Sequence, residues 1–365
     1  MSQRLLDANQ CLVDAAGDID RARLLQDRAI LLSRLGRIDD AAIAIEQAQA
    51  CAPSDAPVNI TLRFDYVRSI RSYFSKRFAE ALELMLAVRG RAVAEGHPVL
   101  RAECESALAL YTQREGDVRS AARYARSVLA TAEATLESRY RAFLALASLH
   151  QDAYDFEQAS RLFKEAEVVV RELGDDIATA SWQQRIALTL AAHVRQAAAL
   201  GEHDAKALRA AVEALKKSIR YAAGLEGGPD TTLDHLLLAE MNVLQKKHRE
   251  ALTLYDEHLP SAEGDGFLHE VTVALADRAR CRIELGEVDA GYAELVAALR
   301  RVDESTPADI RAIVHDNMAG ALDRVGHVGE AEQHRKLGRM AWETYAHEQR
   351  EARRLLNDDV PETLH

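Results

Sequence analysis

The chain has 365 residues, with 46 Lys and Arg against 58 Asp and Glu for a formal charge of −12, and this acidic balance argues against general attraction to nucleic acid. Hydrophobic residues make up 48% and charged residues 28%, as in ordinary globular chains, while an aromatic share of only 5% suits helices packed through Ala and Leu. The longest apolar run, near Ala142–Leu149, is too short to cross a bilayer, and Asp7 and Asp14 sit where a leader would be apolar. No membrane span is expected, and the cytoplasm is the expected compartment.

Residues 1–19 open with an amphipathic helix, Ser2 to Ala16, with Leu5, Leu12 and Ala16 on one side and Gly17 to end it. It is expected to cap the first repeat. From Asp20 to Pro53, apolar residues recur at three-and-four spacing through Ala22–Leu35, Gly36 breaks the pattern, and a second run from Asp40 to Ala50 stops at Pro53. That is a helical hairpin. The plan returns at 60–95, 99–133 and 138–173, with Pro53, Pro57 and Pro98 only between hairpins, where a missing N–H breaks no helical bond. These four hairpins form a unit over 20–175.

Residues 176–230 differ. IATASWQQRIALTLAAHVRQAAAL is long enough for about six helical turns, and after Gly201–Asp204 a second helix runs to Tyr221, with either Ala205 or Ala207 as its contact residue. A fifth, enlarged hairpin is predicted, followed by a hinge at 224–230, GLEGGPD. Three more hairpins occupy 231–259, 267–304 and 308–338, with Pro260 and Pro307 assigned to the joins. Arg339 to Asn357 then continues as helix, with Met340, Ala341, Thr344, Tyr345, Ala352 and Leu355 as its apolar stripe. Either it caps the last hairpin, or it signals by pairing with a second copy in a homodimer; Asp358 to His365 reads as a frayed end of the 339–365 segment.

Small residues mark where the two helices of a hairpin touch, because only Ala, Gly or Ser lets backbones approach closely. Ala29/Ala41, Ser69/Ala81, Ala109/Ala121, Ala147/Ala159, Ala239/Ala251, Ala279/Gly291 and Ala319/Ala331 all lie twelve apart. Three residues before each second member stands Ile38, Phe78, Val118, Phe156, His248, Val288 or Val328. This recurrence resembles the tetratricopeptide-repeat (TPR) family: the first hairpin has small Ala29, turn Gly36, Ile38 in the aromatic slot, Ala41, Ile45, Ala48 and Pro53. Elsewhere Lys76 and Lys246 replace the turn glycine and His248 an aromatic. The family repeat is about 34 residues, whereas most steps here are 40 or 38, so helices or loops must be longer, as in the long-hairpin kind found in bacterial regulators. The resemblance implies an all-α, right-handed superhelical solenoid of about eight hairpins with terminal caps. It also implies a concave groove that binds a protein or peptide.

The sequence offers no positive sign of an enzyme or of a cofactor. It contains no P-loop and no glycine-rich strand-to-helix turn. No two of the 13 histidines stand at i, i+4, and only His365, in the frayed tail, stands three residues after Glu. His315–Asp316 weakly resembles the HD dipeptide of metal-dependent phosphohydrolases but lacks companions. Cys11, Cys51, Cys104 and Cys281 are far apart with no CxxC, so reduced thiols are expected rather than disulfides or a zinc site.

Two faces are candidates for binding. In the second hairpin Arg63, Tyr66, Ile70 and Tyr73/Phe74 fall on one helical face, with Arg77 near its end, where guanidinium and aromatic groups could hold a carboxylate and an apolar side chain. In hairpins seven and eight, Asp277, Arg280 and Glu284 accompany Asp316, Asn317, Gly320 and Asp323. Resemblance to peptide-pheromone receptors makes Asn317, then Asn242, the residues to hold a peptide backbone. The carboxylate clamp of TPR co-chaperones is missing, since its places hold Gln26, Ile30, Arg63 and Val67. The expected function is a non-enzymatic protein- or peptide-binding scaffold in bacterial signalling, with a peptide receptor that changes superhelix pitch as the alternative and an HD-type hydrolase as a remote third. No output domain is read within the chain, so output is expected by docking or from a segment beyond His365.

Overall fold

The computed structural model of the chain describes residues 2–199, 201–225, 229–264 and 267–357. Among these residues every regular element is a helix. After α1 (Ser2–Ala15) come eight hairpins: α2/α3 (Asp18–Arg34, Ile38–Cys51), α4/α5 (Val58–Phe74, Phe78–Ala94), α6/α7 (Pro98–Arg114, Val118–Ala130) and α8/α9 (Leu136–Asp152, Phe156–Leu173) in the first half. The second half holds α10/α11 (Asp176–Ala199, Ala205–Ala223), α12/α13 (Thr232–Leu244, His248–Gly264), α14/α15 (Leu268–Glu284, Val288–Leu299) and α16/α17 (Ala308–Arg324, Val328–Asn357). The long sequence period comes from the first helices, six of which run for 17 residues.

The small-residue pairs sit where the hairpins close. Ala29, Ala41, Ser69, Ala81, Ala109, Ala121, Ala147, Ala159, Ala239, Ala251, Ala279 and Ala331 have no exposed surface. The separation is short enough for the Ser69 hydroxyl to donate to the Ala81 carbonyl at 2.7 Å. A Cβ on Gly291 would stand 2.6 Å from Ile283 Cγ1 and 2.7 Å from the Ala279 carbonyl oxygen. In the fifth hairpin the buried residues of α11 include, besides Val212, Ala211, Leu215, Ser218 and Ala222, at the same spacing as Ala81, Met85, Val88 and Ala92 of α5. Its contact residue is therefore Ala211, against Ala187 and Ala191 of α10, and neither Ala205 nor Ala207.

Each hairpin turns through one left-handed residue followed by a bond that spans the turn, as in Arg37 N–H to Leu32 O at 2.9 Å and Arg77 N–H to Ser72 O at 2.9 Å. Gly36 supplies that conformation freely at φ +72°, but Lys76, Tyr154 and Lys246 adopt it at +63°, +60° and +60°. The closing bond and the flanking packing hold these three in place against the Cβ strain.

Three expectations are corrected. Leu12 is 58% exposed, and α1 docks instead through Leu6 and Val13. Pro260 lies inside α13, near its end, where the loss of one helical bond is tolerated and Ala262 is still buried. The predicted apolar stripe of the C-terminal segment is shifted, on an α17 that is one helix of 30 residues. Its buried face is Gly338, Ala341, Gln349 and Leu356, while Met340 and Thr344 point to solvent. The predicted hinge falls partly on residues 226–228, outside the described residues.

Consecutive first helices touch one another, whereas consecutive second helices make no comparable contact among the described residues. The stack therefore curves with the first helices on its inner face.

Candidate functional site

The basic and aromatic stretch of α4 does not stay together on that inner face. Arg63 and Tyr66 line a cavity of about 300 Å³ with Asp27, Glu103, Glu137 and Arg141. Arg63 is already neutralised there, by Asp27 and Glu103 at 2.7 Å each. Burial works against its charge, but the two carboxylates outweigh it and hold the guanidinium above its ordinary range. Tyr66 is buried, and its hydroxyl accepts from Arg141 at 3.3 Å.

Ile70 belongs to the hydrophobic core. Tyr73 stacks on Tyr111 at 4.4 Å and meets Phe74 edge-on, so both are packing groups beside the turn, with Phe74 partly exposed. Arg77 precedes α5 and pairs with Glu80 at 2.9 Å. The helical spacing holds, but a 17-residue first helix has a face wide enough to serve groove and core at once, and Ile70, Tyr73, Phe74 and Arg77 fall outside the cavity.

The second candidate face is assembled. Three cavities of about 510, 220 and 230 Å³ follow one another along the first helices of hairpins five to eight, and Arg280 lines all of them. Asp277, Asp316 and Asn317 meet in the middle one with Arg195, Glu240 and Trp342. The largest is mostly apolar, walled by Val194, Ala197, Leu208, Val243 and Leu244, with His193, His203 and Lys246 at its margin.

The charges of this groove are unevenly matched. Asn317 Nδ2 donates to Asp277 Oδ1 at 2.9 Å, and the Tyr255 hydroxyl donates to Oδ2 at 3.5 Å; burial still raises the Asp277 carboxyl above its usual range. Glu240 is 7% exposed and its nearest cation, Arg195, is 3.8 Å away and shared with Asp309 at 3.5 Å. Burial pushes Glu240 up to about 7, with Arg195 opposing and Asp277 and Asp309 adding to the rise. Arg280 is exposed and forms no hydrogen bond or close ion pair with any described residue; Asp277, one turn before it, is the acid that feels its charge. Glu284 and Asp323 are taken by Arg324 and Arg335, and Asn242 lines none of the three cavities.

The two side chains of the HD dipeptide diverge. His315 Nδ1 meets His334 Nδ1 at 3.0 Å, and Asp316 accepts from the Trp342 indole at 2.9 Å. Among the described residues no three His, Cys, Asp or Glu side chains are grouped so as to hold a metal ion.

Glu240, Arg195 and Trp342 were missed by sequence reasoning. A signal existed for Glu240. It directly follows contact residue Ala239, as Arg280 follows Ala279 and Gly320 follows Ala319, so the three share one register. Gly320 has no side chain to offer Arg280 across the next first helix, and Glu240, in register on the preceding one, faces Arg195 instead, so among the described residues that guanidinium has no partner.

In sequence the chain matches no protein-family model and no curated protein. In structure it is similar to a Rap protein complexed with competence and sporulation factor, with a TM-score of 0.62 at 10% identity over 91% of this chain and 100% of that one. The apo quorum sensor NprR from B. thuringiensis gives 0.53 at 14% identity over 87% and 88%. A signal-transduction ATPase with a tetratricopeptide-repeat sensor from Pyrococcus horikoshii gives 0.54 at 13% over 95% of this chain and 51% of that one. At such identities the likeness is one of fold. The fold is a tetratricopeptide-repeat solenoid, all helical among the described residues.

Proposed function

We propose that the chain is a non-enzymatic regulatory module that binds a peptide, or an extended protein segment, along the first helices of hairpins five to eight. Arg280 receives a carboxylate of the ligand, the 510 Å³ pocket takes an apolar side chain, and Asn317 lies where a peptide backbone would pass. The observation that carries this reading is one unpaired guanidinium lining three consecutive cavities, since a positioned Arg fork is the group best suited to a carboxylate. The named cargo of the similar Rap protein and the quorum-sensor name of NprR favour a small signalling peptide over a large partner.

The test is a display library of random ten-residue peptides selected on the whole chain. Selected peptides should share an acidic group or free C-terminus, and Arg280→Glu should weaken them at least about tenfold, the value of one charge-assisted contact. Binders that keep full affinity for Arg280→Glu overturn the assignment. Small-angle scattering with a selected peptide then asks whether the superhelix tightens on binding, as a receptor that changes pitch would require.

A further inference from the structure

The last helix reaches far beyond its own hairpin. Its first half packs small residues, Ala331, Gly338 and Ala341, against α16. Its second half crosses to α10, α8 and α7 and is held there by polar groups. Gln196 donates to Gln349 Oε1 at 3.0 Å, Arg353 donates to the carbonyl of turn residue Tyr154 at 2.8 Å, and Arg126 of α7 donates to the Leu356 carbonyl. Leu356 is fully buried in the core that runs from the first hairpin to α8, 230 residues away in sequence from its partner Arg126.

This seat has the chemistry of a recognition surface. Arg126 reads one of the terminal carbonyls that every helix leaves unbonded. A pocket takes one leucine, and Gln196 reads a glutamine two turns earlier. The opposite side of the segment carries Glu343, His347, Glu348, Arg350 and Arg354 into solvent. The occupant is an amphipathic helix end that ends in Leu and has Gln seven residues before it.

We propose that residues 345–357 act as an intrachain ligand, and that the seat on α7, α8 and α10 receives the end of an amphipathic helix of this chemistry from a partner protein when the segment lifts. The segment is thus a strap over a helix-binding surface, independent of what fills the groove of hairpins five to eight.

A fluorescent peptide of residues 339–357, amidated at its end, tests this in trans. It should bind the full chain bearing Leu356→Asp at least tenfold more tightly than the wild type. Equal binding to both, or none to the variant, overturns the proposal. If that variant fails to fold by circular dichroism, the double variant Gln349→Ala with Arg353→Ala carries the same comparison with the same readings. In the wild type, backbone amides of 345–356 should exchange at least tenfold faster than those of 331–341, and equal protection overturns the strap. A wild-type dimer that exchanges α17 between copies, seen by sedimentation, would assign the seat to a second copy and overturn the partner protein.

Discussion

The first four hairpins and the last four are built on one plan yet treat their inner faces differently. In the first half one continuous core runs through the first three hairpins and into α8, the fourth hairpin closing in a cluster of its own with Trp182, and the cations of the inner wall are matched: Arg63 with Asp27 and Glu103, and Arg34 and Arg141 with Glu137. In the second half the core is divided into separate clusters between neighbouring hairpins, and the inner wall keeps Arg280 unmatched and Glu240 poorly matched. A solenoid whose wall charges satisfy one another is only a wall. Where the register leaves a charge unanswered, the same architecture becomes a receptor.

The sharpest way to break this comparison is to reverse one arginine in each half. Arg63→Glu should lower unfolding free energy by roughly 2–4 kcal/mol, because it leaves Asp27 and the largely buried Glu103 facing a third acid, whereas Arg280→Glu should stay within about 0.5 kcal/mol. Urea unfolding of both variants decides it, and equal losses would show that Arg280 is structural. Next in size, Gly291→Ala should cost roughly 1–3 kcal/mol by forcing apart α14 and α15, since the added methyl meets the Ala279 carbonyl oxygen at 2.7 Å. A thermal melt unchanged from wild type would refute the close approach.

The pH response sharpens the contrast further. Glu240 faces Arg195, Asp277, Asp309 and Tyr255, and its carboxyl is raised in the folded state, so the native chain holds its proton more tightly than the unfolded chain. The stability it contributes is therefore fully present below its ordinary value of 4.5 and is lost as pH rises through about 7. Glu240→Gln should flatten the fall in melting temperature between pH 5 and pH 8, a difference on the order of 1–3 kcal/mol. A parallel pH profile for the variant would mean that Glu240 does not titrate there. Smallest of all, Lys76→Gly in the first half and Lys246→Gly in the second should each stabilise by about 0.5–1 kcal/mol, through relief of the left-handed turn. Destabilisation at either position would show that the lysine side chain packs where only strain is apparent.

Much of the inner wall was written in the sequence as a forty-residue echo. Arg63 and Glu103, Asp277 and Asn317, and Glu284 and Arg324 are each 40 apart and bonded across adjacent first helices. Pairing charges at the repeat interval finds Arg63 satisfied by Glu103 but also sets Glu240 opposite Arg280, and only the structure shows that Glu240 turns to Arg195 instead and that no ion pair joins it to Arg280. The enlarged fifth hairpin hid Arg195, because its longer helix and loop break the interval and place its acid partners on α12 and α16, out of register. Trp342 was hidden for another reason: it stands on a second helix, the class that ordinarily faces outward.

The sequence by itself determined the helical hairpins, their number and, outside the fifth, the residues at which they close, because side-chain size at a fixed offset is a local constraint that any chain carrying it must satisfy. Only the tertiary structure decided where the last helix lands. The landing of α17 on α7 and α8 depends on the summed curvature of the hairpins between them, a small rotation accumulated from each one, and no single segment encodes it.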